Sequence, residues 1–300
     1  LRNKSRKFDL FLAKVALIMI LSTCTFYSQE NNIELVESIP VETTLDNPDI
    51  RNTQQVWLEM INSAQKTLDI EQFYISNEKG EPLDTILKAI AAAGKRGVIV
   101  RIIIDEKMYK IYPDDVEWLE QQSQNITKHV IDFDKLAGGI QHAKFFIVDD
   151  NEVFFGSQNF DWRALKHIHE LGLRLKETDI IQVYRGIFNA DWQYAEIDDG
   201  KSWHCPIFTI SNNYHIDSDI YGKWIRLQPT TSPVDFSHTN SYNDIDEIKR
   251  IIYSANNEIN LQFLSYNPKT REGYWEEVDT ALINASKRGV KVNLLVSDWN

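Results

Sequence analysis

The sequence predicts an α/β layered sandwich, in which a mixed β-sheet is flanked by helices, and three observations support this fold class. Apolar residues follow the strand period and the helix period in alternation along the chain. Glycine closes two of the helical patterns, at Gly97 and Gly289, which is the usual place for a helix C-cap. The element order of the first part of the chain also returns near residue 300. Strands that alternate with helices bury a sheet between helical layers.

The first half of the chain supplies most of the predicted elements. Helices are predicted over 51–66, 82–95, 113–122 and 178–195, and Pro82 fits the start of the second of them. Strands are predicted over 68–74, 98–104, 126–133, 143–148, 153–155 and 171–175. Residues 196–244 have mixed polarity and no clear period, so they predict a connection.

The second half repeats the helix–strand–helix–strand order of the first. Its predicted elements are a helix over 245–255, a strand over 259–263, a helix over 275–287 and a strand over 290–296. Short identities coincide with this order at shifts of 191 and 192 positions: Ser63-Ala64 with Ser254-Ala255, and Lys95-Arg96-Gly97-Val98 with Lys287-Arg288-Gly289-Val290. Two landmarks at nearly one shift predict an internal duplication whose second copy is truncated. We expect a first domain over 33–200, a linker region over 201–240 and the start of a second domain over 241–300.

The N-terminal segment resembles an export signal. Basic residues open the chain, and a mostly apolar stretch follows over 15–27. This stretch is shorter than the roughly 20 residues that span a bilayer, so residues 1–28 predict a cleaved signal peptide. An uncleaved membrane anchor and a lipoprotein modified at Cys24 are the alternatives. We therefore expect an exported protein, periplasmic or secreted, with membrane association through this segment as an open alternative.

The net charge and the cysteine content limit the possible functions further. The net charge is −12, and it becomes about −16 without residues 1–28, which hold five basic residues and one acid. An acidic surface disfavours extended non-specific binding of nucleic acid, so a polyanionic substrate is expected to bind locally, at one phosphate or one chain end. After residue 28 the only cysteine is Cys205, which excludes an internal disulfide and predicts a small buried residue.

Polar residues around position 142 carry the predicted chemistry. Residues two apart on a strand face the same side, so His142 and Lys144 are expected to project together. Gly156 is expected to allow a close turn that brings Ser157 and Asn159 back to the same place. Lysine neutralises phosphate charge, hydroxyl and amide groups donate hydrogen bonds, and an imidazole can attack phosphorus. The full pattern is His-x-Lys-x4-Asp-x6-Gly-Ser-x-Asn, with Asp149 as its acid.

Acidic residues supply the remaining candidates. Glu170 is the candidate for orienting the imidazole of His142 through its second nitrogen. Asp149 fits a structural turn and hydrogen-bonding role better than proton transfer. Asp161-Trp162-Arg163 suits either a pocket wall or a packed salt bridge. The acids Asp105, Asp114 and Asp115 are expected on solvated faces.

The other histidines are expected to be structural or at the surface. His167 and His169 are two apart but follow the motif in an apparent loop, so no metal site is predicted there. The remaining ones lack partners at ligand spacing: His129, His204, His215 and His238.

This motif resembles that of the phospholipase D superfamily, the His-Lys-Asp phosphodiesterases. The resemblance implies catalysis without metal or cofactor, in which one histidine is the nucleophile and a second one protonates the leaving group. It implies that His142, Lys144, Asp149 and Glu170 belong to the active site and that Lys144, Ser157 and Asn159 hold the phosphate. Residues 34–40, 142–149, 159–165 and 287–292 further resemble the animal endolysosomal phospholipase-D-like 5′-exonucleases and their poxvirus relatives.

Superfamily members normally combine two such motifs in one active site. The repeat places a second one near position 334, beyond residue 300, so we expect it from a missing C-terminal half or from another subunit. The expected function is phosphodiester cleavage through a phosphohistidine, on single-stranded nucleic-acid ends. The alternatives are phospholipid headgroup hydrolysis or transfer, with Phe160, Trp162 and Tyr109 as candidates for an apolar surface, and a non-catalytic binding protein.

Overall fold

The computed structural model describes residues 32–197, 214–218, 223–232, 244–270, 273–274 and 276–297. The predicted signal peptide, Cys205, His204 and His238 lie outside these residues. Within the described ranges, no helix is long and apolar enough to span a membrane.

The helices and strands follow the order that the sequence predicts. The helices are α1 (Thr53–Ser63), α2 (Pro82–Lys95), α3 (Glu106–Tyr109), α4 (Asp114–Gln122), α5 (Phe133–Ala137), α6 (Thr178–Ile197), α7 (Asp244–Ser254) and α8 (Glu277–Lys287). The strands up to the second repeat are β1 (Ile33–Ser38), β2 (Arg51–Asn52), β3 (Thr67–Gln72), β4 (Ile75–Ser76), β5 (Ile99–Asp105), β6 (Ile126–Ile131), β7 (Lys144–Val148), β8 (Glu152–Gly156), β9 (Phe160–Asp161), β10 (Glu170–Leu175), β11 (Tyr214–Ser218) and β12 (Lys223–Leu227). The last four are β13 (Glu258–Phe263), β14 (Lys269–Thr270), β15 (Gly273–Tyr274) and β16 (Lys291–Val296).

The main sheet is a mixed eight-stranded sheet, and it confirms the predicted fold class. Its strand order is β2-β1-β10-β8-β7-β3-β5-β6. Strands β3, β5 and β6 run parallel, whereas β7 pairs with β3 in the antiparallel direction. The carboxyl end of β3 therefore lies beside the start of β7, with Gln72 opposite Lys144.

Helices cover both faces of this sheet because its strand residues alternate between two cores. Side chains of β7 show the division: Phe146 and Val148 join a core with α1, α2 and α4, whereas Phe145 and Ile147 join a core with α6. Trp57 of α1 is completely buried and makes edge contacts with the rings of Phe146 and Phe154. The result is a helix–sheet–helix sandwich.

Several elements were absent from the sequence prediction: β1, the hairpin of β11 and β12, and the short elements α3, α5, β2, β4, β9, β14 and β15. Strand β1 carries buried polar residues, Glu37 and Ser38, so its apolar alternation is broken. Helix α5 has only five residues, and the predicted strand over 126–133 ends at Ile131 before it. The hairpin of β11 and β12 lies in the region predicted as a connection.

The repeat in the sequence corresponds to a repeat of hydrogen bonds. The guanidinium of Arg96 donates to the carbonyls of residues 61, 62 and 64, and that of Arg288 donates to those of 252, 253 and 255. Strands β3 and β5 are parallel, and their pairing begins with Thr67 opposite Ile99. Strands β13 and β16 are also parallel, and their pairing begins with Glu258 opposite Lys291. The same shifts of 191 and 192 positions therefore relate hydrogen bonds and strand pairing, as well as residue identities, in the two halves.

Candidate active site

The site lies at the edge of the main sheet where β3 ends and β7 begins. Short strands hold the surrounding loops there: β4, which follows β3, pairs in parallel with β9, which follows the Gly-Ser-x-Asn run. Carboxyl ends of parallel strands form the usual ligand-binding edge of an α/β sheet.

Two buried acids fix Gln141, the residue before His142, by hydrogen bonds. The backbone N–H of Gln141 donates to Asp105 Oδ2 at 2.8 Å, and its side-chain Nε2 donates to Glu71 Oε1 at 2.7 Å. Asp105 also caps α3 by accepting from the N–H groups of Lys107 and Met108. The expectation that Asp105 is solvated is therefore wrong: it is 1% exposed, because its carboxylate satisfies three backbone donors.

His142 is exposed, and its ring contacts Phe73. The ring centroids are 4.5 Å apart in an edge arrangement, which fixes one side of the imidazole. Partial burial, together with the charge of Lys144, lowers the pKa of His142 below its usual value of 6.5. The ring is therefore mostly neutral near neutral pH, which is the state in which an imidazole acts as a nucleophile or a base.

Lys144 lies beside His142. Its Nζ donates to the His142 backbone carbonyl at 2.9 Å and lies 5.4 Å from the centre of the Phe73 ring. Burial lowers the pKa of Lys144 to about 8, and the nearby carboxylate of Glu170 opposes this shift. The ammonium group remains largely charged at neutral pH and is placed to attract an anion.

Glu170 faces Lys144 and Ser157. Burial raises the pKa of its carboxyl group, whereas a hydrogen bond with Ser157 and the charge of Lys144 lower it. Ser157 is exposed, and its Oγ accepts from the backbone N–H of Leu171 at 3.2 Å. Among the hydrogen bonds of the described residues, none joins Glu170 to His142, so orientation of the imidazole by Glu170 stays a prediction.

Gly156 permits a close approach of strands rather than the turn predicted for it. It lies in β8 opposite Gly172 of β10. A Cβ atom on Gly156 would lie 2.7 Å from Gly172 Cα and 2.7 Å from the Leu171 carbonyl oxygen. Because the two glycines allow this contact, the chain passes directly from β8 to Ser157.

Asn159 follows on the same segment. Its Oδ1 is buried and has no hydrogen-bond partner among the described residues. The next residue is fixed by its N–H, which donates to Gln72 Oε1 at 3.2 Å. Only the Nδ2 group of Asn159 can donate to a phosphate oxygen, and its role in holding a phosphate stays a prediction.

Asp149 lies at the other end of β7 from Lys144. Its carboxylate accepts from the backbone N–H groups of Gln65, Lys66 and Thr67 at 2.7–2.8 Å. A five-residue strand separates it from His142 by about 16 Å or more, at about 3.3 Å per residue. Asp149 therefore organises the β7–β8 turn and the start of β3, and its carboxylate does not reach the imidazole of His142.

The Asp161–Arg163 pair is a packed salt bridge. Asp161 is 3% exposed and binds the Arg163 guanidinium through both oxygens, at 2.9 and 2.6 Å. Tyr74 OH donates to the same carboxylate at 2.8 Å. The prediction that Phe160 contributes to an apolar surface is wrong, because this residue is completely buried against Trp57.

Local partners surround His129, His167 and His169. His167 Nδ1 lies 2.5 Å from Glu42 Oε1, and His169 Nε2 lies 3.0 Å from Glu37 Oε2. His129 stacks on Trp192 with the ring centroids 3.7 Å apart. In the described part of the chain, no group of three or more His, Cys, Asp or Glu side chains is arranged to hold a metal ion.

Three residues near the site were missed by the sequence prediction. Phe73 follows a strand and contacts His142, but its type alone indicates only packing. Glu71 and Asp191 are both buried and lie next to each other, although 119 residues separate them in the chain. An acid at a buried strand position, as Glu71 is within 67–72, was the one available signal.

Comparison with known proteins decides the family. A family model described as "Cardiolipin synthase, PLD-like domain" matches residues 57–192. Phospholipase D Y of Dictyostelium discoideum is 30% identical over 320 residues, which cover 94% of this chain and 72% of that protein. The chain belongs to the phospholipase D superfamily. Its His-Lys-Asp motif over 142–149 lies inside the matched region.

One further relative and a solved structure extend the comparison. The 5′-3′ exonuclease PLD3 of Xenopus laevis is 29% identical over 292 residues, covering 88% of this chain. The chain spans only 57% of that exonuclease. The polyphosphate kinase of Porphyromonas gingivalis superposes with a TM-score of 0.52 at 14% identity, covering 88% of this chain and 37% of the kinase, which is a likeness of fold.

Proposed function

We propose that the protein is a phosphodiesterase that cleaves single-stranded nucleic-acid ends through a phosphohistidine, without a metal. The observation that carries the proposal is the adjacency of His142 and Lys144, whose Nζ lies 2.9 Å from the His142 carbonyl oxygen. The substrate class is supported by the 29% identical relative that is named a 5′-3′ exonuclease.

The chemistry follows from the charge states of these two residues. A neutral imidazole nitrogen attacks phosphorus, a P–N bond forms, and the P–O bond to the leaving alkoxide breaks. An acid protonates that alkoxide; water then attacks the phosphohistidine and regenerates the imidazole. Lys144, Ser157 and Asn159 stabilise the charge on the non-bridging oxygens. His142 is assigned either the nucleophilic or the acidic role, and a second His-Lys-Asp motif supplies the other.

The test uses the full-length protein and 5′-hydroxyl single-stranded oligonucleotides in EDTA. We expect release of mononucleotides, and we expect His142→Asn to reduce kcat at least about 1000-fold while thermal unfolding stays unchanged. The matched control is His167→Gln, which removes a histidine outside the site and should keep kcat within about threefold. No release by the wild-type protein would refute the nuclease function, and full activity of His142→Asn would refute the catalytic assignment.

A lipid substrate is the second candidate, favoured by the family model's cardiolipin synthase description and by the relative named phospholipase D Y. In this case the same histidine and lysine act on a headgroup phosphodiester. Vesicles of phosphatidylcholine, phosphatidylglycerol and cardiolipin separate the candidates. Headgroup release or transfer that depends on His142, without oligonucleotide cleavage, would establish the lipid function instead.

A further inference from the structure

A cavity of about 610 Å³ adjoins the active site on the α6 side of the sheet. His142 and the segment 138–143 form one wall, α6 forms another, and Thr230, Thr231 and Ser232 lie at its edge. The proposed phosphodiester cleavage requires His142, whereas the remaining lining residues of this cavity take no part in it.

The floor of the cavity has an excess of hydrogen-bond acceptors. Glu71 and Asp191, 1% and 7% exposed, lie against each other there. Burial raises the pKa values of both carboxyl groups, to about 7 for Asp191, and the charge of Asp191 raises that of Glu71 further. Gln141 is 3% exposed, and its Oε1 has no partner among the described residues, nor has the Oγ1 of Thr231.

The walls are aromatic and apolar. Phe133, Phe145 and Tyr184 line the cavity together with Ile187. Tyr184 stacks on Phe155 with centroids 5.0 Å apart and makes an edge contact with Phe145, so its ring is fixed. Flat aromatic walls above an acceptor-rich floor suit a planar ring that carries hydrogen-bond donors on one edge.

We propose that this cavity is a base subsite, which takes the nucleobase next to the scissile phosphate by its amino-bearing edge. The exocyclic amine of cytosine, adenine or guanine would donate to Asp191 and Gln141, while the phosphate lies at His142 and Lys144. This inference rests on the proposed nucleic-acid substrate and deepens it, because it predicts discrimination between terminal bases.

Gly139 provides a way to fill the cavity without disturbing its acids. It lines the cavity, and a Cβ atom built on it meets no atom within 4 Å. Its neighbour Gly138 has a φ of +71° and is unsuitable for substitution. Gly139→Leu therefore fills the space, and Gly139→Ala is the matched control. Asp191→Asn tests the acceptor itself while keeping the shape of the side chain.

The experiment measures binding by calorimetry to the full-length protein, so it does not depend on turnover. The probes are deoxycytidine and thymidine monophosphates, with 3′ or 5′ phosphate, deoxyribose phosphate, phosphoethanolamine and inorganic phosphate. We expect deoxycytidine monophosphate to bind about tenfold more tightly than thymidine monophosphate or deoxyribose phosphate. Gly139→Leu and Asp191→Asn should each remove this preference, whereas Gly139→Ala should keep it and inorganic phosphate should bind all variants equally.

The outcomes separate this proposal from the proposed function. Equal binding of all nucleotides and of deoxyribose phosphate would overturn the base subsite and leave a cavity that holds water. Preferential, Asp191-dependent binding of phosphoethanolamine would also overturn it, in favour of an amine headgroup. Discrimination in binding without any oligonucleotide cleavage would support the subsite and refute the nuclease activity.

Discussion

The positive charge of the site depends on pH because the ammonium group of Lys144 loses its proton at mildly alkaline pH. Its pKa lies near 8 because burial outweighs the attraction of Glu170. If the charged form binds the phosphate, kcat/KM of the wild-type protein falls as pH rises through about 8. Lys144→Arg keeps its charge at any accessible pH, so the decrease should disappear even though the overall rate is lower.

Substitution of Glu170 should shift the dependence of kcat/KM on pH, and the direction of the shift identifies the role of Glu170. Removal of its negative charge by Glu170→Gln lowers the pKa of Lys144 further, so the alkaline decrease in kcat/KM should begin at lower pH. The control Glu177→Gln removes an acid just after the same strand and should leave the profile unchanged. If Glu170 instead orients His142, kcat falls with no shift of the alkaline limb, and the Lys144 interpretation is wrong.

Among the elements, the β7–β8 turn depends on Asp149. This residue and Asp150 both have a φ of +54°, and Asp149 accepts three backbone N–H groups of 65–67. Asp149→Asn tolerates the same backbone but weakens these charged hydrogen bonds, so the free energy of unfolding should fall by about 1–3 kcal/mol. Urea denaturation measures the change.

Asp150→Asn is the matched control for that prediction. It has the same φ, and its carboxylate forms an ion pair with the exposed Arg185 at 2.9 Å, so stability should change by less than about 0.5 kcal/mol. Oligonucleotide cleavage by Asp149→Asn at low temperature should stay close to that of the wild type. A large loss of kcat without loss of stability would contradict the structural role and return Asp149 to the catalytic set.

The contact of β3 with α6 predicts how stability depends on pH. The pKa values of Glu71 and Asp191 are raised in the folded protein, to about 7 for Asp191. The folded state therefore binds more protons than the unfolded chain above about pH 4, so this stabilisation is present at acid pH and is lost as pH rises through about 7. Asp191→Asn should flatten the decrease of the unfolding free energy between about pH 5 and 8. The exposed acid Asp179, on the same helix, provides the control Asp179→Asn, and an equal flattening there would contradict this explanation.

Local sequence patterns predict some of these elements and miss others. Periodicity was sufficient to predict β3, β5 and β7, and the two-residue spacing placed Lys144 next to His142. Strand β1 was missed because its polar residues are satisfied by distant groups: Ser38 Oγ donates to the Ala164 carbonyl, and Glu37 contacts His169. The Glu71–Asp191 contact likewise depends on the packing of α6 on the sheet, which no local pattern encodes.

For the whole molecule, the repeat implies that the same contact stabilises both units. Arg96 and Arg288 each donate from one guanidinium nitrogen to three carbonyls at the end of a helix, at 3.4 Å in the first unit and 3.2–3.3 Å in the second. These carbonyls form the negative end of the helix, so a cation there is favourable. Substitution by methionine keeps the aliphatic chain and removes the donors.

We expect Arg96→Met and Arg288→Met to destabilise their own units by similar amounts, about 1 kcal/mol each. Hydrogen–deuterium exchange of the full-length protein, resolved by peptides, should show faster exchange around residues 60–72 for the first variant and around 251–263 for the second. Arg250→Met is the matched control, because Arg250 lies on α7 and pairs with Glu247 at the surface, at 2.6 Å. The contrary outcome is that Arg96→Met accelerates exchange while Arg288→Met behaves like this control. In that case the two units share a hydrogen-bond pattern, but the pattern stabilises only the first unit. The geometry of the first unit would then not predict that of a second active-site half built on the second unit.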